Sequence, residues 1–126
     1  MGAGDMMYRY TIFRPERTSE AGEVDWPPDP SFENIARLLE PIVGGPIEHV
    51  RILDPAKALA EHIGRADYRD MFVDELGHMR KPPAPRNEMA TALYRANWLR
   101  VHPQDDLESL SFIVGVAVVF ERVIWR

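Results

Sequence analysis

Hydrophobic and polar residues alternate along Met7–Phe13, MYRYTIF. A strand there puts Tyr8, Tyr10 and Ile12 on one face and Arg9, Thr11 and Phe13 on the other. The period then lengthens. Phe32, Ile35, Leu39 and Ile42 recur at helical spacing behind two competing caps, Asp29-Pro30 and Ser31. Pro41 bends the last turn, and Gly44-Gly45-Pro46 stops the helix. Ile47–Leu53 reads as a second strand. Asp54-Pro55 opens a short helical stripe of Ala56, Leu59, Ala60 and Ile63 that ends at Gly64.

The stretch from Asp67 to Arg95 organises the chain, because it places the most polar side chains in forced geometry. Tyr68–Val73 suits a half-buried strand, with Met71 and Val73 on one face and Asp70 and Phe72 on the other. Asp74-Glu75-Leu76-Gly77 reads as a type I turn that closes a hairpin through a bulge, with His78–Arg80 as the return strand. Lys81–Arg86 holds three prolines and joins neither a ladder nor a helix interior. Asn87 is then an N-cap, with Glu88 in the first turn. Met89, Leu93 and Ala96 trace the inner stripe of the helix, and Asn87, Thr91, Tyr94 and Trp98 line an adjacent face. His102-Pro103 ends it. The β-branched run Phe112–Trp125 reads as a buried, central strand, with Gly115 at a bulge or at the start of its straight part.

These elements predict one small α+β domain. Its sheet is mixed or antiparallel with about four to five strands, and about two to three helices pack mainly on one side. Residues 1–6 are expected to be a flexible start. Residues 14–30, with four prolines and Trp26, are expected to form a surface loop.

At 126 residues the chain holds one core. Its net charge of −5 argues against nucleic-acid binding, which calls for a basic field. The absence of cysteine excludes a disulfide scaffold, a thiolate zinc site and a cysteine nucleophile, and it fits a cytoplasmic location. The longest apolar run, Phe112–Phe120, is too short for a membrane-spanning helix, and no signal-peptide pattern is present.

Few residues point to chemistry. The four histidines, His49, His62, His78 and His102, have no metal-ligand spacing, so neither a metal nor a cofactor is expected. Glu48-His49 and Glu61-His62 diverge on regular structure and read as surface pairs. Gly44-Gly45 follows a helix and so lacks the geometry that binds phosphate at a helix N-terminus. What remains is one polar cluster of Asp74, Glu75, His78, Asn87 and Glu88, with Thr91 beside it and the Gly44, Gly45 and Glu48 turn as a second patch. Turn and cap chemistry accounts for the same residues.

LLEPIVGGPIEHV, MFVDELG, PRNEMATALY and IVGVAVVF, in that order, resemble the bacterial and phage family known as domain of unknown function 3846. The matching positions are Val43, Gly44, Gly45, Ile47, Glu48, Asp74, Glu75, Gly77, Pro85, Asn87, Ala90, Thr91, Ile113 and Gly115. The resemblance implies a small α+β domain from phage, plasmid or bacterial genomes and supplies no catalytic residues. The expected function is a non-enzymatic binding module whose partner is a protein or a small signalling ligand. One alternative is a small hydrolase or nucleotide-processing enzyme using Asp74, Glu75, His78 and Glu88. Another is an acidic protein that blocks a DNA-binding partner. An exposed apolar face on the closing strand would make a homodimer, and a buried central strand explains the same residues.

Overall fold

The computed structural model describes residues 6–52 and 69–124. The stripe from Ala56 to Gly64 and the first five residues lie outside that range. Met6 is already part of a strand.

β1 spans Met6–Phe13 and keeps the alternation of its sequence: Tyr8 and Ile12 are buried on one face and Phe13 on the other. Part of the expected surface loop over 14–30 is instead a strand. β2, Ser19–Trp26, lies antiparallel to β1, with Met6 opposite Trp26 and Phe13 opposite Ser19. Pro15 does not break the sheet, because it takes the second position of a type I turn, where its fixed φ fits. The Arg17 N–H donates to the Arg14 carbonyl at 3.0 Å, and the Arg14 N–H donates to Thr18 at 3.0 Å. Trp26 ties β2 to the core by stacking on Phe120 at 5.8 Å.

Arg17 sits at φ +67°, the left-handed position that glycine usually fills in such a loop. Arg17→Gly removes a backbone penalty of about 1–2 kcal/mol and adds about 0.5–1 kcal/mol of unfolded-chain freedom. The expected net gain is about 0.5 kcal/mol, read as a higher urea midpoint with an unchanged slope.

α1, Phe32–Val43, starts at Ser31 and not at Asp29: the Ser31 Oγ accepts the Asn34 N–H at 3.1 Å. It buries Ile35, Leu39 and Val43, and it ends at Gly44, whose φ of +88° suits glycine. β3, Ile47–Arg51, pairs antiparallel with β4, Asp70–Asp74. The expected return strand His78–Arg80 does not form. Gly77–Met79 is a single 3-10 turn, in which the Leu76 carbonyl accepts from both Met79 and Arg80. Gly77 is there for close packing, since a Cβ on it would lie 2.7 Å from the Val114 Cγ2.

α2, Glu88–Val101, opens at Asn87 as expected and stops at His102. A 3-10 turn at Leu107–Ser109 follows. β5 is only Ala117–Phe120. The preceding Phe112–Val114 runs against the proline segment instead, bridging Arg86 to Val114, until Gly115 at φ +76° turns the chain into β5.

The sheet order is β2-β1-β5-β4-β3, with every pairing antiparallel. The result is a small single α+β domain with five strands and two helices among the described residues. The helices are not on one side. α1 covers the face bearing Tyr8, Ile12, Phe72, Val118 and Phe120, and Ala90 and Leu93 of α2 cover the face bearing Phe13, Met71, Val73, Ala117 and Val119. The reason lies in β4 and β5, which are buried on both faces, so each face needs a cover. β5 sits at the sheet centre with all four residues buried and offers no exposed apolar face for a dimer. No described helix is long and apolar enough to cross a membrane.

Candidate ligand cleft

The expected polar cluster separates into a clamp, a buried tie and an open cleft. The clamp is Asp74, at the end of β4 and nearly fully buried. Its Oδ1 accepts the Leu76 N–H at 3.0 Å, and its Oδ2 accepts from the Arg80 Nε at 2.6 Å. Arg80 also donates to the Gly44 carbonyl at 3.1 Å, and its guanidinium fills the space above Gly45, where a Cβ would collide with it. Gly44, Gly45 and Asp74 therefore join the C-terminus of α1 to the end of β4.

Burial acts to raise the Asp74 pKa. The Arg80 hydrogen bond, the Leu76 N–H and the charge of Arg80 outweigh it, so the carboxyl titrates below its ordinary value. A depressed folded-state pKa gives stability that is present above the unfolded pKa and is lost as pH falls through the folded one. Acid titration should therefore show a loss of stability below the usual carboxylate range. Asp74→Asn should flatten that part of the profile and cost about 1–2 kcal/mol at neutral pH.

The tie is Asn87, fully buried at the start of α2. Its Nδ2 donates to the Phe13 and Gly115 carbonyls at 2.9 Å each, and its Oδ1 accepts the Ala90 N–H at 3.1 Å. Thr91, one turn on, accepts the Ile113 N–H at 2.9 Å and donates back to the Ile113 carbonyl at 3.3 Å. Both side chains fasten β1, α2 and the approach to β5. Neither faces an open site.

Glu48, Glu75 and His78 do converge. With Tyr94, Ser111 and Phe112 they line a cleft of about 190 Å³ between the β3–β4 edge, α2 and the segment before β5. The His78 Nε2 lies 2.9 Å from the Phe112 carbonyl, which only accepts, so Nε2 is a donor. Glu48 and Glu75 are exposed and have no ion-pair partner among the described residues. The nearby cations are engaged elsewhere. Arg80 holds Asp74, Arg95 donates to the Ser111 and Leu110 carbonyls, and Arg86 pairs with Glu88 at 3.0 Å and lies over the Phe112 ring. Glu88 is not part of this cleft. It borders a separate one of about 340 Å³ with Phe13, Arg17 and Met89.

A second buried cluster had no signal in the sequence. Asp70 is fully buried on the α1 face. It accepts from the His49 Nε2 at 2.8 Å, the Arg51 Nε at 2.9 Å and the Ile124 N–H at 2.6 Å. Glu48 and His49 diverge as expected, but only Glu48 reaches the surface cleft. His49 is bound to a carboxylate that lies 21 positions along the chain.

No described group of histidine, aspartate and glutamate side chains is arranged to hold a metal ion. No family model, no curated protein and no solved structure matches this chain.

Proposed function

We propose that the protein is a binding module whose site is the Glu48–Glu75–His78 cleft and whose partner is a protein presenting a lysine or arginine side chain. One observation carries this reading: two carboxylates without ion-pair partners among the described residues line the same cleft, walled by Tyr94 and Phe112. Both carboxylates offer only acceptors. A group that only donates, an ammonium or a guanidinium, is their complement. Cation–π attraction to the Tyr94 ring adds to it. At about 190 Å³ the cleft is smaller than the roughly 300–1,000 Å³ of small-molecule pockets, which favours a single inserted side chain.

A hydrolytic reading of Asp74, Glu75, His78 and Glu88 has less support. Asp74 is committed to Arg80, and Glu88 borders a different cavity. An acidic decoy for a DNA-binding protein has less still, because Arg9–Glu23, Arg14–Glu20, Arg37–Glu33 and Arg86–Glu88 mix the surface charge. A cytoplasmic setting fits the cysteine-free sequence and belongs to the same proposal. A phage or plasmid origin rests on the family resemblance alone.

The test is titration with a short capped threonine–valine peptide carrying one central lysine. Binding should weaken with salt, and Glu48→Gln with Glu75→Gln should weaken it about tenfold or more, about 1.4 kcal/mol. Both glutamates are exposed, so stability should stay within about 0.5 kcal/mol of the parent. Equal affinity for the double variant, or its failure to fold, would sink the assignment.

A further inference from the structure

We infer that the partner enters as an extended peptide, adding a sixth strand antiparallel to β3 with its basic side chain opposite Glu48. This rests on the cleft reading and adds how the partner is held.

The argument begins with hydrogen-bond phase. The Glu75 N–H donates to the Pro46 carbonyl at 2.9 Å, and the Ile52 N–H donates to the Arg69 carbonyl at 2.9 Å. In an antiparallel ladder such pairs alternate. Glu48 and Val50 therefore aim their backbone groups at β4, and Ile47 and His49 aim theirs away from it. β3 is the last strand of the sheet among the described residues, so these groups point off its edge. Among the described residues, nothing bonds the outward backbone groups of Ile47 or His49. At the next outward position, the Asn97 Nδ2 donates to the Arg51 carbonyl at 3.0 Å. α2 thus closes one end of the edge, and no described element pairs with the backbone of Ile47–His49.

An added antiparallel strand would form hydrogen-bonded pairs at Ile47 and His49. Its residue opposite Glu48 would then fall at a non-hydrogen-bonded pair, where Cα atoms approach to about 4.5 Å and side chains are closest. That side chain would lie on the α2 face, the face of Glu48 and of the cleft. Backbone bonds supply affinity that is indifferent to sequence, and the cleft supplies the choice of a cation. The opposite edge, β2, lacks this combination. Its outward positions include Glu23 and Asp25, and Glu23 is already paired with Arg9. Charges of this kind are how an edge strand discourages pairing.

The experiment uses the same lysine peptide in three forms. In one, the two residues flanking the lysine are N-methylated, which removes the N–H groups that would bond Ile47 and His49. In another, only the lysine is N-methylated, and its N–H points away from β3. Strand addition predicts a loss of tenfold or more for the first form and little change for the second. It also predicts at least tenfold slower amide hydrogen exchange at Ile47 and His49 on binding the unmodified peptide. If flank methylation is harmless and those amides do not slow, strand addition is wrong while the cleft reading survives. If no form binds in a manner sensitive to Glu48→Gln and Glu75→Gln, the cleft reading has failed as well. If the amides of the peptide-free protein already slow with rising protein concentration alongside dimer in native mass spectra, the edge is taken by a second copy and the inference is overturned.

Discussion

Asn87→Ala should destabilise the protein by about 3–5 kcal/mol, a large share of the roughly 5–15 kcal/mol that a domain of this size has in total. The substitution takes away the cap on α2, worth about 0.5–2 kcal/mol, and takes the amide donor from the buried Phe13 carbonyl and the partly buried Gly115 carbonyl. The two contributions can be separated. Asn87→Asp has the same shape and is as good a helix cap, so a residue that only capped α2 would tolerate it. A carboxylate cannot donate, however, and it would set a negative charge against two carbonyl oxygens inside the core. We expect Asn87→Asp to cost at least as much as Asn87→Ala. Chemical denaturation of both variants measures this, and a near-neutral aspartate would reduce Asn87 to a cap.

Asp70→Ala is the second large effect, with an expected cost of about 3–5 kcal/mol. Among the described residues, three donors, on His49, Arg51 and the Ile124 backbone, point at one fully buried carboxylate. Removing the carboxylate takes this acceptor from the cation of Arg51 and from the buried amide of Ile124. The cost arises from stranding those partners and is not the net worth of the cluster, because burying the charges was itself expensive. A double-mutant cycle of Asp70→Ala with Arg51→Ala therefore should show coupling of about 0.5–3 kcal/mol. Strict additivity would mean that Arg51 contributes nothing through Asp70.

Much of the fold could be read because its determinants are local. The alternation of MYRYTIF, the Ser31 and Asn87 caps, the Gly44 stop and the Asp74 side chain bonding the backbone ahead of it each depend on residues within a few positions. β2 was not legible. Its residues SEAGEVDW are acidic and poor in strand formers, and their conformation comes from pairing with β1 and from Trp26 reaching Phe120. Arg14-Pro15-Glu16-Arg17 did carry a turn signal, and Pro15 made it look like a loop. The sequence pattern puts both helices on one side, because the burial of DMFVD and AVVF on both faces shows only when the strands lie side by side.

The site was legible in the same partial way. In the sequence Glu48, Glu75 and His78 stand with Asn87, Thr91 and Asp74, because all are polar and sit near turns. Burial divides them, and burial depends on where α2 and the segment before β5 come to rest. Tyr94 and Phe112 reach the cleft from those two elements, and nothing in their sequence neighbourhood connects them to Glu48. The His49–Asp70 pair is a further case of contact made by register alone: Arg51 is opposite Asp70 and His49 opposite Phe72 on the same face.

The most direct measurement is an NMR titration of the isotopically labelled protein with arginine amide, following backbone and side-chain shifts residue by residue. A binding cleft for basic side chains predicts saturable shifts concentrated at Glu48, Val50, Glu75, His78 and Tyr94, absent when Glu48→Gln and Glu75→Gln are combined. Shifts that never saturate, or that gather instead around Arg17, Glu88 and Met89, would contradict it.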